Sequence, residues 1–417
     1  MSTIKAAVCH EFGKPLAIEN VELRAPQGGE VEVTLDAVAI CHSDISFADG
    51  AWGGSLPAVY GHEAAGRITA LGEGVKGFTT GDSVIVTLIR ACGTCPSCAG
   101  GKPTICQTPY DGDHGPLKTS DGGKLHQAMA CGAFAEKVVV DQSQIVVIPE
   151  DMPKDAASLI SCGVITGVGA VVNAAQLRAG QDVVVIGAGG VGLNAIQGAR
   201  IAGARRIVAV DMSQDKLDVA RQFGATDGVL ATEENPWRAA KEAMGRGADA
   251  VLVTVGAARA YDEAPRYLAY GGKVIMVGMP ATGAASSYEA GNFAAVGQSM
   301  IGSKMGDTVI QRDIPWMVDL YGHRRRPRVG LLHPLQNMRA HRIGQDLVDG
   351  APRTRVRRTG EHRGGRLRAG KHPPLVVERE HGRCCRVGRD ARRWRRRFGK
   401  RGGCHWTNDQ LGPGSRR

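Results

Sequence analysis

The stretch Asp182-Val-Val-Val-Ile-Gly-Ala-Gly-Gly-Val-Gly192 joins an apolar, strand-like run directly to a glycine-rich turn. The turn fits the pattern G-x-G-x-x-G, which is weak evidence by itself in a chain with 58 glycines. Its context is stronger. An Ala/Gly-rich helical stretch follows, and Asp211 ends the next apolar run nineteen residues after Gly192. A strand, a glycine turn, a helix and a later acidic residue together predict a dinucleotide site rather than an ordinary turn.

The turn residues that we expect to contact the coenzyme are Gly187, Gly189, Gly190, Val191 and Gly192. The first glycine permits the tight turn, the second lets backbone N–H groups approach a pyrophosphate, and the last allows close packing of helix on strand. The positive end of the helix dipole favours the diphosphate. A carboxylate at Asp211 would accept hydrogen bonds from ribose hydroxyls and repel a 2′-phosphate, so NAD is preferred over NADP.

Two patterns divide the chain up to about residue 322. Residues 1–150 contain short alternating runs, such as 31–35 and 83–87, separated by Gly, Pro and Asp, and this pattern predicts a partly closed β-barrel. From about residue 164, Val/Ile runs alternate with helical stretches, one of which opens at Ser213 as its N-cap. Such alternation predicts a parallel doubly wound sheet, and therefore an α/β fold class overall.

Four cysteines are crowded into fifteen residues, in the spacing C-x2-C-x2-C-x7-C. They are Cys92, Cys95, Cys98 and Cys106. This set suits a closed tetrahedral zinc site of the structural kind. A disulfide framework is typical of small secreted domains and fits a chain of 417 residues poorly. An iron–sulfur cluster also takes four cysteines and stays open on spacing alone.

A second group is dispersed along the chain: Cys41-His42-Ser43-Asp44, Gly61-His62-Glu63 and Cys162. Taken singly, each residue has an ordinary structural explanation, such as a buried thiol or a turn histidine. Together with the four-cysteine set and the glycine turn, they resemble the zinc-dependent medium-chain alcohol dehydrogenases, in the right order and including Gly66 and Gly81-Asp82. The resemblance covers residues 1 to about 322 and extends to the long-subunit, class III-like type.

The resemblance implies a GroES-like β-barrel catalytic domain at 1–163, a Rossmann domain at 164–303, and a truncated return to the catalytic domain at 304–322. It implies two zinc ions per subunit. The implied ligands of the catalytic zinc are Cys41, His62 and Cys162, with Glu63 behind the ion, and the four-cysteine set holds the other. Asp44 would orient His62, and Ser43 would relay the alcohol proton. Further implied coenzyme contacts are His42, Thr166 and Lys216.

The activity implied is reversible oxidation of an alcohol to an aldehyde, with hydride transfer from a zinc-activated alkoxide to NAD. Primary or aromatic alcohols are the first choice of substrate, and S-(hydroxymethyl)glutathione is the alternative. We expect a homodimer in the cytoplasm that binds no membrane and no specific nucleic acid. No apolar run reaches the length of a membrane span, and no signal peptide precedes the first domain. Zinc-free quinone reductases are disfavoured, since both ligand sets are intact.

Two departures from the family pattern matter. Many members place a histidine three residues after the relay hydroxyl as the last proton acceptor, and Ser46 stands there in this chain. The proton would then leave through water. The stretch after Gly322 also lacks the usual C-terminal completion of the catalytic domain, and we therefore expect lower stability and activity than in a chain with that completion.

Residues 323–417 differ sharply from the rest in composition. They hold 25 Arg and 2 Lys against 7 acidic residues, a net charge of +20, whereas residues 1–322 carry −9. We expect this Arg-rich region to be a genuine basic tail, a disordered linker or an out-of-frame translation, of which the last is favoured. A further hypothesis is an inactive remnant whose tail binds polyanions, since arginine-rich segments bind phosphates in a salt-dependent way.

Overall fold

A largely antiparallel β-barrel forms the first part of the computed structural model, which describes residues 1–324 and 340–341. Its strands are β1 (Ser2–Cys9), β2 (Ala17–Leu23), β3 (Glu30–Ala39), β4 (Ala58–Val59), β5 (Glu63–Leu71), β6 (Ser83–Val86), β7 (Leu117–Thr119), β8 (His126–Gln127), β9 (Lys137–Asp141) and β10 (Ile145–Val147). One sheet has the order β7-β2-β1-β4-β8, and the other contains β10-β6-β5-β3 with β9 on β3. An antiparallel bridge joins Ala6 of β1 to Ala135, two residues before β9.

Alternation of side chains explains why these segments form a barrel. Val31, Val33 and Leu35 of β3 are buried together with Ile68 of β5 and Val84 of β6, so one face of each strand supplies the barrel core. Short helices fill the connections: α1 (His42–Ala48), α2 (Pro96–Ala99), and single turns at Pro103–Ile105, Gly112–His114, Ala128–Ala130 and Gln142–Gln144.

A parallel six-stranded sheet follows, with the strands β11 (Asp182–Ile186), β12 (Arg206–Asp211), β13 (Asp227–Leu230), β14 (Ala248–Val253), β15 (Leu268–Met276) and β16 (Ser299–Gly302). Their order is β13-β12-β11-β14-β15-β16. The order reverses between β11 and β14, which is where doubly wound sheets bind ligands at the carboxyl ends of their strands. The predicted fold class, a GroES-like barrel with a Rossmann domain, is confirmed.

The helices, in chain order from residue 154, are α3 (Lys154–Leu159), α4 (Ile165–Gly169), α5 (Gly190–Ile201), α6 (Gln214–Phe223), α7 (Pro236–Met244), α8 (Ala258–Glu263), α9 (Ala290–Val296) and α10 (Ile310–Arg324). Single turns occur at Ala264–Tyr267 and Met305–Asp307. Ser213 is the N-cap residue of α6, as predicted.

One continuous helical segment, Lys154–Ala175, joins the barrel to the Rossmann domain. It consists of α3, α4 and two π-helical stretches, Ile160–Val164 and Ala170–Ala175. The expectation that no apolar run is long enough for a membrane span was wrong, because this segment has 22 residues and a mean hydropathy of 1.7. However, 89% of its most apolar part is buried inside the protein, so it is a core helix by its packing.

Glycines let this segment pack closely on both of its neighbours. A Cβ at Gly167 would lie 2.4 Å from the carbonyl oxygen of Val191 on α5, and one at Gly169 would lie 2.4 Å from the carbonyl oxygen of Gly306. Both distances are too short for a real side chain. The backbone of α4 therefore touches α5 on one side and the turn Met305–Asp307 on the other.

The chain beyond α10 contributes one described element, β17 (Ala340–His341), which pairs antiparallel with Val38 and Ala39 of β3. The other predictions about residues 323–417 lie outside the described residues. The predicted domain boundaries stay predictions, since residues 1–324 lie within one compact unit.

Candidate functional site

A buried carboxylate organises the start of α1. Cys41 is the N-cap residue of this helix, and its backbone N–H donates to Asp44 Oδ2 at 3.0 Å. Asp44 is 2% exposed, although it bears a charge. Buried charges are tolerated where several donors face them. The carboxylate therefore fixes the loop that carries Cys41.

The same carboxylate reaches the segment before β5. Asp44 Oδ1 accepts hydrogen bonds from the backbone N–H of Gly61 at 3.0 Å and from His62 Nδ1 at 2.9 Å. Gly61 has φ +94°, and a Cβ there would lie 2.5 Å from the backbone nitrogen of Phe134, so only glycine fits. When Nδ1 of the neutral imidazole donates to Asp44, the lone pair of His62 is on Nε2, which is buried and has no hydrogen-bond partner among the described residues.

Two thiols and a second carboxylate surround that nitrogen. One ligand atom from each of Cys41, His62, Glu63 and Cys162 lies within 4.8 Å of the others. Cys162 comes from the π-helical stretch Ile160–Val164, and π-helical turns are frequent at functional sites. Two sulfurs with one imidazole nitrogen are a donor set typical of a catalytic zinc site. The structure thus brings all four predicted residues together.

The ionisable groups of this cluster strongly perturb one another. A hydrogen bond from Cys162, and then the imidazole of His62, hold the pKa of the Cys41 thiol well below its ordinary value. The pKa of Cys162 is raised by its hydrogen bond with Cys41 and by burial. Burial would lower the pKa of His62, but the Asp44 carboxylate raises it well above its ordinary value. Burial, and then the charge on Cys41, raise the pKa of Glu63. A metal cation would compete with these protons.

The four-cysteine set forms a second candidate metal site. The Sγ atoms of its members, Cys92, Cys95, Cys98 and Cys106, lie within 4.8 Å of one another. That span suits one ion at ~2.3 Å from each sulfur. None of the eight cysteines within residues 1–324 is in a disulfide.

Backbone donors favour the thiolate form of Cys92 and Cys95 in this lobe, whereas burial raises the pKa of Cys98 to about 12. Cys92 Sγ accepts from the backbone nitrogens of Thr94 at 3.4 Å and Cys95 at 3.2 Å, and Cys95 Sγ accepts from those of Cys98 and Gln107 at 3.4 Å. The Thr108 hydroxyl, followed by these backbone donors, lowers the pKa of Cys92 to about 5. A deprotonated sulfur at neutral pH is the form that binds metal.

The glycine turn leaves space for a ligand at the carboxyl end of β11. A Cβ at Gly187 would lie 2.5 Å from Val255 Cγ1, and one at Gly192 would lie 1.8 Å from the carbonyl oxygen of Gly187, whereas Gly189 faces open space. Gly189 is the N-cap residue of α5, which begins with Gly190 and Val191. Free backbone N–H groups at a helix N-terminus suit a diphosphate.

Asp211 lies beside this turn, at the end of β12. Its Oδ2 accepts from the backbone N–H of Ala188 at 2.8 Å, and its Oδ1 accepts from that of Ser213 at 3.0 Å. These two bonds fix the carboxylate against the turn and leave other lone pairs for a ligand.

The other predicted site residues lie outside the two candidate metal clusters and the glycine turn. Ser43 and Ser46 are half-buried on α1, and His42, its first residue, is exposed. Thr166 is buried one helical turn after Cys162, with its Oγ1 4.0 Å from the Cys162 sulfur. Lys216 is exposed on α6, and no contact draws it to the glycine turn within residues 1–324.

Two residues that the sequence did not single out also touch the site, and a third links the barrel to the Rossmann domain. Met305 places its sulfur 3.9 Å from that of Cys162. Thr254 donates its hydroxyl to the carbonyl oxygen of Gly187 at 3.0 Å. Trp52, which follows α1, donates its indole N–H to the carbonyl oxygen of Pro280, in the loop after β15, at 2.9 Å. Only Thr254 had a sequence signal, because it ends the run 248–254, which predicts a strand of the parallel sheet.

Comparison with known proteins gives two family matches. Residues 27–150 match the family described as alcohol dehydrogenase GroES-like domain, and residues 190–322 match zinc-binding dehydrogenase. An NDMA-dependent alcohol dehydrogenase of Amycolatopsis methanolica is 35% identical over 330 residues, covering 76% of this chain and 89% of the relative.

Two further similarities concern particular activities. The class-3 alcohol dehydrogenase of Myxine glutinosa is 41% identical over 234 residues, which cover 54% of this chain and 62% of the relative. The crystal structure of benzyl alcohol dehydrogenase from Acinetobacter calcoaceticus superposes with a TM-score of 0.73 at 30% identity, covering 78% of this chain and 91% of that one.

Proposed function

Because the chain belongs to the zinc-binding alcohol dehydrogenases, we propose that it is an NAD-dependent enzyme oxidising primary or aromatic alcohols to aldehydes. The observation that carries the proposal is the unpartnered, buried Nε2 of His62, surrounded by the sulfurs of Cys41 and Cys162. An orphaned buried acceptor is costly unless something fills its place. A zinc ion there would be held by these three residues, with Glu63 behind it.

When bound, zinc supplies Lewis-acid polarisation of the alcohol oxygen, and the nicotinamide supplies a hydride acceptor. The protein supplies orientation. Asp44 holds the imidazole of His62 with Nε2 turned toward the sulfurs, and its bond to the Cys41 backbone fixes the first thiol. Such supporting carboxylates set both the geometry and the basicity of metal-binding histidines.

Proton removal is assigned to Ser43. Its hydroxyl lies two residues after Cys41 on α1 and would accept the alcohol proton at Oγ. Ser46 offers no imidazole to receive that proton next, so the proton passes to water at the exposed side of α1. His42 and Thr166 would contact the coenzyme.

Selectivity for NAD is assigned to Asp211. Its carboxylate is fixed by the amides of Ala188 and Ser213, so it cannot easily swing away from a ribose. A ribose diol can donate to it, whereas a 2′-phosphate would place like charges together. We also assign contacts with the coenzyme to the turn residues and to Lys216.

We propose two zinc ions per subunit, the second in the four-cysteine lobe, and a homodimer in the cytoplasm. Free thiols in residues 1–324 support a reducing compartment. The open edge of β16 and the adjacent groove of about 550 Å³, lined by Tyr288, Phe293 and Met300, support self-association. Sedimentation velocity would test the dimer.

S-(Hydroxymethyl)glutathione oxidation is the second candidate, favoured by the identity to a class-3 relative. Initial rates of NADH formation with benzyl alcohol, ethanol and formaldehyde plus glutathione separate the two candidates. A strict requirement for glutathione would favour the second.

The decisive test of the proposed function combines metal analysis with alcohol-dependent NADH formation. About two zinc equivalents are expected in the parent and about one in Cys41→Ser, with loss of activity. Cys9→Ser is the matched control, because Cys9 is a buried thiol outside both clusters. Salt-sensitive DNA retention by a chain that reduces no NAD would instead support the polyanion-binding remnant.

A further inference from the structure

The turn Met305–Asp307 has an unusual backbone. Three consecutive residues have positive φ: Met305 at 51°, Gly306 at 65° and Asp307 at 49°. Glycine adopts this region freely, but methionine rarely does. A bulky residue persists in such a conformation only where its surroundings impose it, and such positions cluster at functional sites.

Contacts on several sides hold this turn. A Cβ on Gly306 would lie 2.2 Å from the carbonyl oxygen of Ile165, so the turn backbone touches α4 directly. Asn173 donates to the Gly306 carbonyl oxygen at 3.0 Å and to Asp313 Oδ2 at 3.2 Å, which ties the turn to α10. The segment Pro103–Ile105 of the four-cysteine lobe lies beside it.

The imposed conformation directs the Met305 side chain at the candidate metal site. Its sulfur lies 3.9 Å from Cys162 Sγ and 3.8 Å from Thr166 Oγ1. The side chain is 9% exposed and packs in the same core cluster as Cys162. It therefore contacts both the thiol of a candidate metal ligand and the hydroxyl that we assign to the coenzyme, which themselves lie 4.0 Å apart.

We propose that Met305 is a positioning residue, which fixes the Cys162 sulfur and the Thr166 hydroxyl relative to each other and keeps water from the thiol. A thioether is apolar and polarisable, so it packs against sulfur without competing as a strong hydrogen-bond partner. An unbranched side chain also reaches both atoms from a distant turn. The role in catalysis rests on the proposed function, but the shielding of Cys162 does not.

Two variants test the proposal in the full-length chain. Met305→Leu keeps an apolar side chain of similar volume without the sulfur, and Met305→Ala opens a cavity beside Cys162. Met244→Leu is the matched control, because Met244 is a buried methionine on α7 in a different core cluster. Thermal denaturation establishes that each variant is folded, and Met305→Leu decides the matter if Met305→Ala does not fold.

The first readout is the rate of iodoacetamide alkylation at Cys162, followed by mass spectrometry of its peptide. We expect a rate at least about tenfold higher in Met305→Ala and no change in Met244→Leu. Because this readout needs neither metal nor activity, it stays informative if the proposed function fails. An unchanged rate in a folded Met305→Ala would overturn the shielding role.

The second readout is the thiolate-to-metal absorption of the cobalt-loaded chain, with the steady-state constants. We expect shifted bands in both Met305 variants and a loss of about 10- to 100-fold in kcat or metal affinity, the range for residues that support metal ligands. A purely structural role would lower the melting temperature and leave the bands in place. Bands and constants equal to those of Met244→Leu would refute the positioning role.

Discussion

Replacing Asp44 by asparagine should weaken both the fold and the metal site. Three donors face its two oxygens: the backbone nitrogens of Cys41 and Gly61, both at 3.0 Å, and His62 Nδ1 at 2.9 Å. Asparagine offers one acceptor oxygen and one NH2 group. If the oxygen serves Gly61 and His62, the NH2 group opposes the N–H of Cys41.

The magnitude follows from that count. One buried donor without an acceptor costs about 1–3 kcal/mol of unfolding free energy. Zinc affinity should fall by about 10- to 100-fold, because the orientation and basicity of His62 depend on the lost charge. A domain with about 5–15 kcal/mol of stability tolerates such a loss, so the variant should still fold.

The effects of Asp44→Asn on stability and on zinc affinity should also depend on pH. Asp44 raises the pKa of His62 well above its ordinary value, against the effect of burial. In the metal-free protein, the stability that the Asp44–His62 pair contributes is fully present below the ordinary histidine pKa. It is lost as the pH rises through the raised pKa of His62 in the folded state. The stability deficit of Asp44→Asn should therefore narrow with rising pH. The gap in zinc affinity should widen instead, because protons compete more strongly for His62 in the parent.

Urea denaturation of the metal-free chain and zinc competition with a chromophoric chelator, each at several pH values, measure both effects. Asp36→Asn is the control, since Asp36 is an exposed aspartate on β3 of the same barrel. Zinc affinity and unfolding free energy equal to those of the parent would refute the assigned role of Asp44.

Three further predictions concern the coenzyme turn and the Met305–Asp307 turn. Asp211→Gly should narrow the NAD-over-NADP preference in kcat/KM, and an unchanged ratio would show that another residue discriminates. Gly306→Ala should cost at least about 1–3 kcal/mol of stability, because its Cβ would meet the Ile165 carbonyl at 2.2 Å. Gly322→Ala, in open space, is its control in thermal denaturation. Burial raises the pKa of Asp307 above its ordinary value of 3.8. The stability that comes from the protonated carboxyl is therefore fully present below pH 3.8 and is lost as the pH rises through the raised pKa. The melting temperature of Asp307→Asn minus that of the parent should therefore be larger at pH 7 than at pH 4. A difference independent of pH would contradict this explanation.

The sequence predicted the Rossmann half closely because its strands are buried on both faces. Runs of Val and Ile gave β11 with the observed bounds, and the acidic residue at the end of β12 marked the coenzyme edge. The strands of the barrel were harder to predict from the sequence. β4 and β8 have two residues each, too few to show alternation, and they form by pairing with strands distant in the sequence.

The residues of the candidate catalytic metal site were named through the resemblance to a family, since neither their types nor their spacing shows that they converge. Cys41, His62 and Cys162 come from a helix cap, the residue before β5 and a π-helical stretch. Met305 lay beyond prediction, since a methionine before a glycine carries no pattern and its contact depends on a left-handed backbone. The helical segment Lys154–Ala175 was underestimated as an apolar run, because its length spans four successive helical pieces.

The close glycine contacts of α4 have a consequence for how this molecule unfolds. With Gly167 against Val191 on α5 and Gly169 against Gly306, no side-chain layer separates this helix from its neighbours. The barrel therefore cannot unfold separately from the Rossmann domain without breaking the backbone contacts that α4 makes with α5 and with the turn Met305–Asp307. We expect residues 1–324 to unfold in one calorimetric transition rather than two, with equal van't Hoff and calorimetric enthalpies. If the two domains unfold together, a coenzyme that binds only the Rossmann domain should stabilise both. The melting temperature measured from tryptophan fluorescence should then rise equally at Trp52, which follows α1 in the barrel domain, and at Trp237 on α7 of the Rossmann domain.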